Sequence, residues 1–146
     1  MRNKGFTLIE LLAVIVILAI IALIATPIIL GIINDSRKSA DDETAKLIAS
    51  NFHVAYQSAY MTGPQAGVEP TLNEIMAKFN MDNITIEPTP SDAVTGEYTI
   101  TSSSGNVVCT TTTGEGEGRQ KVTLSCTVNG EPFDAAKTEI TVRAAS

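Results

Sequence analysis

The chain has 146 residues, a formal net charge of −6 and 44% hydrophobic residues, enough for one domain with one modest core. With 5% aromatics and no Trp, an acidic chain offers neither the clustered cations nor the stacking rings of a nucleic-acid binder. Two cysteines, Cys109 and Cys126, suggest a disulfide beyond a membrane and two free thiols in the cytosol.

The hydrophobic residues are unevenly spread. Arg2 and Lys4 make a basic start, and residues 11–33 are almost all apolar and carry no charge. A secretory signal has an apolar stretch of roughly 7–15 residues followed by a small-residue cleavage site. Here the stretch is too long and no such site follows. About 20 residues at about 1.5 Å each span a bilayer core, so residues 11–33 predict a single membrane-crossing helix. The positive-inside rule places Met1 to Lys4 in the cytoplasm and the polar remainder outside. Two features are unusual for a plain anchor. Glu10 sits at the start of the apolar run, and Pro27 and Gly31 interrupt it, Pro27 removing a backbone donor. A tolerated kink and an interfacial carboxylate would account for them without any function.

The run Lys4-Gly5-Phe6-Thr7-Leu8-Ile9-Glu10-Leu11-Leu12 resembles the class III leader junction of type IV pilins and pseudopilins. The resemblance is specific over residues 5–10, extends to about Ile33, and does not cover residues 40–146. It implies that a prepilin peptidase cuts between Gly5 and Phe6 and that the new amine of Phe6 is methylated. Cleavage on the cytoplasmic side leaves the apolar helix in the product. A carboxylate in hydrocarbon is costly unless paired, and the family role for Glu10 is to meet the Phe6 amine of a neighbouring subunit during assembly. Pro27 matches the position where the family's core helix loses regular structure in the filament, with Gly31 assisting. The implied architecture is α+β, a type IV pilin fold with a long N-terminal helix packed on a C-terminal antiparallel sheet of about four strands. Its parts are a leader (1–5), a transmembrane and filament-core helix (6–33), the amphipathic second half of that helix (34–62), a variable loop with a short helix (63–95) and a β-sheet head (96–146).

The residue patterns agree with that plan. Thr44, Leu47, Ile48, Asn51, Phe52, Ala55, Ser58 and Ala59 recur at helical spacing, with Asp41, Asp42, Lys46 and His53 opposite. Thr62-Gly63-Pro64 ends the helix, which from residue 6 to about 61 would measure roughly 80 Å. Phe52, Tyr56 and Tyr60 form a stripe, either core packing or an aromatic path along a filament; core packing is the ordinary outcome. His53 is the only histidine and has no partner cluster, so it receives no role. Thr71-Leu72-Asn73-Glu74 predicts a capping box opening a short helix to about Asn80. Pro88-Thr89-Pro90-Ser91 is a break. From Gly96 the period is two: Tyr98 and Ile100, Val107 and Cys109, Val122 to Val128, then Ile140 and Val142, with turns at Ser103-Ser104-Gly105, residues 114–118 and Asn129-Gly130.

If Cys109 lies opposite Cys126, Val107 meets Val128, Thr111 meets Leu124, and residues 116–119 form the turn. Directly opposite Cβ atoms are about 4.5–5.5 Å apart, close enough to relax into a disulfide worth about 3 kcal/mol. No spacing supports a metal site at these cysteines. Glu115 and Glu117 with their glycines fit neither a P-loop nor a calcium loop, so a turn is expected there. Asn34-Asp35-Ser36 and Asn83-Ile84-Thr85 match the glycosylation acceptor pattern, one that is common by chance.

No catalytic arrangement, cofactor or metal site is visible, and an anchored enzyme is the poorest reading. The resemblance implies a structural subunit of an extracellular type IV pilus, serving adhesion, motility or DNA uptake, or alternatively a pseudopilin of a type II secretion or competence system. The major pseudopilins of the family carry a calcium site in the C-terminal sheet; here Glu131 and Asp134 lie in a short loop without a cluster. The cysteine hairpin leans toward the pilus. The implied partners are further copies in a helical homopolymer, the prepilin peptidase, an inner-membrane assembly platform with its ATPases, and membrane lipid before assembly. The implied location is the inner membrane with the head outside, then the extracellular pilus.

Overall fold

The computed structural model describes residue 5 and residues 7–88, 97–114 and 118–144. The chain forms two compact units, Met1–Ser39 and Ala40–Ser146. One helix, α1 (Leu8–Thr62), runs through both. It is followed by α2 (Leu72–Lys78) and five strands: β1 (Ile84–Pro88), β2 (Tyr98–Ser102), β3 (Val107–Gly114), β4 (Arg119–Val128) and β5 (Glu131–Arg143). The strands form one antiparallel meander in the order β1-β2-β3-β4-β5. The α+β plan with a long N-terminal helix packed on an antiparallel sheet is therefore present, with five strands where about four were expected.

The extra strand is β1, within a segment expected to be loop. Its alternation is only five residues long, and its full register with β2, from Ile84↔Ser102 to Pro88↔Tyr98, defines it. Proline lacks a ladder donor and is confined to edges, and β1 is an edge strand that stops on Pro88. Strand β5 starts earlier than the Ile140 and Val142 pattern implies. A bulge between Leu124 and Cys126 sets Asp134, Ala135, Ala136 and Lys137 against Ser125 alone, and Ala136 turns into the core.

The second half of α1 lays one face on the sheet. The buried residues are Asp41, Ala45, Ile48, Ala49, Phe52, Ala55 and Ala59. This stripe is rotated from the expected one. Leu47 is 52% exposed, while Asp41, expected on the outer face, is only 9% exposed. The steps 41, 45, 48, 52 explain the rotation: the small alanines let the helix approach the sheet, and Asp41 accepts a hydrogen bond from Asn106 Nδ2 at 3.2 Å. Against this face stand Ile100, Val107, Cys109, Val122, Leu124, Cys126, Val128, Ile140 and Val142, with Leu72, Ile75 and Met76 of α2. The Thr71–Glu74 capping box is present: Thr71 N–H donates to Glu74 Oε2 at 2.8 Å and Glu74 N–H to Thr71 Oγ1 at 3.4 Å. The short helix stops at Lys78, with Phe79 as its cap.

The β3–β4 register is the expected one, Val107↔Val128, Cys109↔Cys126 and Thr111↔Leu124. Cys109 and Cys126 form a disulfide on the inner face, buried in the core. The expected turn at residues 116–119 and the acidic pair Glu115 and Glu117 fall largely outside the described residues, as does Pro90-Ser91. At the β4–β5 hairpin, Asn129 and Gly130 both have positive φ, 53° and 82°, as a two-residue type I′ turn requires.

Candidate assembly site at the N-terminus

The first helical turn is closed by its own side chains. Thr7 N–H donates to Glu10 Oε2 at 3.2 Å, and Glu10 N–H donates to Thr7 Oγ1 at 3.3 Å. The first α-helical bond of the described chain runs from Leu11 N–H to Thr7 O at 3.2 Å. This is a capping box, the same Thr-x-x-Glu device that opens α2, and it supplies partners for backbone donors otherwise left orphaned at a helix start. The carboxylate also sits at the positive end of the helix dipole. The pattern Thr7-Leu8-Ile9-Glu10 carries the capping-box signature within the leader junction itself. Glu10 therefore has a partner inside its own chain, in addition to any on a neighbour.

Residue 5 is described and exposed; Met1 to Lys4 and Phe6, and with them the cut and the methylated amine, lie outside the described residues. Beyond the cap, eighteen large apolar side chains between Leu8 and Ile33 are exposed. Burying one such side chain stabilises by about 1.5–3 kcal/mol, so the exposed set represents tens of kcal/mol of unmet burial. The segment is long and apolar enough to cross a membrane.

The helix is continuous through Pro27 and Gly31 in the single chain. Proline cannot donate to the Leu23 carbonyl, and Thr26 Oγ1 donates to Ala22 O at 2.6 Å on the neighbouring turn. Nothing lies within 4 Å of where a Cβ on Gly31 would stand, so no close contact within the chain requires glycine there.

The remaining candidates are dispersed. Phe52 is in the core, while Tyr56 and Tyr60 are half-buried and stacked with centroids 6.5 Å apart; His53 stacks on Tyr56 at 6.5 Å. Core packing thus accounts for Phe52 and, at the edge of the core, for Tyr56. Burial raises the Tyr56 phenol above its ordinary pKa, and Glu69 and Tyr60 add to the shift. On the outer sheet face the Lys121 ammonium, hydrogen-bonded at 2.8 Å, lowers the pKa of Glu139. Among the described residues, no group of three or more His, Cys, Asp or Glu could hold a metal ion, and Glu131 and Asp134 are exposed. Asn34 lies within α1, and Asn83 is exposed at a turn with φ of 63°.

Residues 1–26 match the family model of the prokaryotic N-terminal methylation motif. That motif is the class III prepilin leader of type IV pilins and pseudopilins. Searches of curated proteins and of solved structures return no match. The leader implies processing by a prepilin peptidase, and with the apolar helix it fits a membrane-anchored, pilin-like precursor, which points to a structural subunit and not to an enzyme.

Proposed function

We propose that this chain is the precursor of a structural subunit of an extracellular type IV pilus, cut between Gly5 and Phe6, methylated at Phe6 and polymerised through residues 6–33. The observation that carries this reading is the coincidence of the methylation motif with a helix whose apolar side chains find no cover in their own chain. Lipid covers them in the precursor, and neighbouring helices cover them in the fibre. Cutting before the helix makes that exchange possible, because the apolar segment stays with the product.

Glu10 has two roles in sequence. In the single chain it caps its own helix; in the fibre its carboxylate meets the Phe6 amine of a neighbour. Pro27 and Gly31 are where the helix gives up regularity when subunits pack, since the backbone bond is already missing at Pro27. The buried disulfide favours a head that works outside the cell and supports the pilus over a pseudopilus. Inner-membrane assembly machinery and its ATPases supply the work of extrusion.

Imaging cells with and without the gene tests this proposal. Long surface fibres labelled by antibody to the chain are the expected result; absent fibres with failed protein export would point to the pseudopilin instead. For processing, Gly5→Leu should leave a precursor that migrates above the wild-type product and retains Met1 to Lys4 by mass spectrometry. Normal cleavage of Gly5→Leu would overturn the assignment of the cut.

A further inference from the structure

The head contains a cleft of about 640 Å³ where the end of α1, the segment after it and the ends of β4 and β5 converge. Pockets that hold small molecules run about 300–1,000 Å³. Tyr56, Tyr60, Glu69, Arg119 and Arg143 are among the side chains that line the cleft. The same two rings also line a neighbouring groove with Gln57 and Met61, so they stand as a partition between two hollows. Neither phenol hydroxyl has a hydrogen-bond partner among the described residues. Arg119 donates through Nε to Glu69 at 3.1 Å, and among the described residues its two Nη groups make no ion pair. Arg143 is held by Glu74 at 3.6 Å and by Gln65.

Each guanidinium is already paired with a carboxylate, Arg119 with Glu69 in the cleft and Arg143 with Glu74 beyond its lining, which weakens the pull of either on an anion. What it offers is aromatic surface beside planar, multidentate polar groups. A pyranose ring has the complementary chemistry: C–H faces that pack on aromatic rings, and equatorial hydroxyls that pair with guanidinium, carboxylate and phenol. We propose that this cleft binds a neutral saccharide of one or two rings, with Tyr60 as the ring platform and Arg119 and Glu69 as the hydroxyl-binding pair. The inference is independent of whether the chain builds a pilus or a pseudopilus.

The test uses the full chain in a zwitterionic detergent, since a sugar-headed detergent would compete. The chain has three Tyr and no Trp, so intrinsic fluorescence reports on the platform; Tyr98 is held by Asn73 at 2.5 Å and serves as background. Maltose, cellobiose and chitobiose are titrated, with inorganic phosphate and glycerol as controls. The expected result is a saturable change with at least one disaccharide, with a Kd on the order of 1 mM, weakened about tenfold or more by Tyr60→Ala and by Arg119→Ala. Arg119 is 72% exposed, so its variant reports on binding even if Tyr60→Ala unfolds. No saturable response to any disaccharide, an equal response to phosphate, or unchanged affinity in Arg119→Ala would overturn the proposal. A fluorescence change that follows chain concentration and ignores saccharide would also overturn it, assigning the cleft to a second copy.

Discussion

Thr111 shows how a single residue departs from the face its type suggests. Its neighbours Thr110 and Thr112 point to solvent, yet Thr111 is 1% exposed on the core face. Its hydroxyl accepts from Tyr98 N–H at 2.8 Å and donates to Tyr98 O at 3.4 Å. The β2–β3 backbone register ends at Thr99↔Thr110, so the side chain takes over where the ladder stops, and no buried polar group is left unmade. Tyr56 carries a second residue-scale consequence. Its folded pKa is raised, so the stability linked to its neutral form is fully present below the ordinary phenol value of about 10 and is lost as pH rises through the folded value. An alkaline titration followed by phenolate absorbance should show a late component that Tyr56→Phe removes; its persistence in that variant would refute the assignment.

At the scale of elements, two joints hold the head. The first is the buried Cys109–Cys126 cross-link between β3 and β4. Replacing both cysteines by Ala should lower unfolding stability by about 3 kcal/mol, measured by denaturant melts of the detergent-solubilised chain. A loss below about 0.5 kcal/mol would mean that the hairpin holds without the link. The second joint is the end of α1. A Cβ on Gly63 would stand 2.3 Å from the carbonyl oxygen of Ala59, a backbone atom that also accepts from Gly63 N–H at 2.8 Å. Gly63→Ala should therefore cost about 1–3 kcal/mol in the same assay, whereas Gly67→Ala serves as a contrast: it meets no atom within 4 Å and is strained only by its φ of 83°. Elements with strong local signals were legible in advance. These include the helix stop at Gly63, the Thr71 cap, the β3–β4 register and the cysteine pair, each set by nearest neighbours along one strand or one turn. The inner stripe of α1 was misplaced by one residue's rotation because alanine carries little hydropathic signal, and Asp41 masqueraded as a surface charge. Strand β1 escaped because five residues of weak alternation become a strand only through pairing with β2, from Ile84↔Ser102 to Pro88↔Tyr98, across the intervening chain. The cleft at Tyr60 and Arg119 joins residues far apart in sequence, and no local pattern announces it.

At the scale of the molecule, the question is what the first helical turn does once the chain has neighbours. The capping hydrogen bond and the proposed bond to a neighbour's amine compete for one carboxylate, and they have different chemical requirements. Capping needs only an acceptor oxygen, which an amide supplies; pairing with an ammonium in a nonpolar interior needs charge. Glu10→Gln thus keeps the geometry of the Thr7 cap and removes the charge, whereas Glu10→Val removes both. If the pairing across subunits governs assembly, both variants should insert in the membrane and be processed, and both should lose most surface fibres, counted by electron microscopy against wild type. If the cap alone matters, Glu10→Gln should assemble normally and Glu10→Val should not. Normal fibres from Glu10→Gln would confine Glu10 to its own helix and leave register to the apolar surface of residues 8–33. Thr7→Ala completes the comparison. It removes the hydroxyl acceptor but leaves the carboxylate, at a cost of about 1 kcal/mol of helix stability, so fibre loss in Thr7→Ala comparable to that in Glu10→Gln would return the weight to the cap.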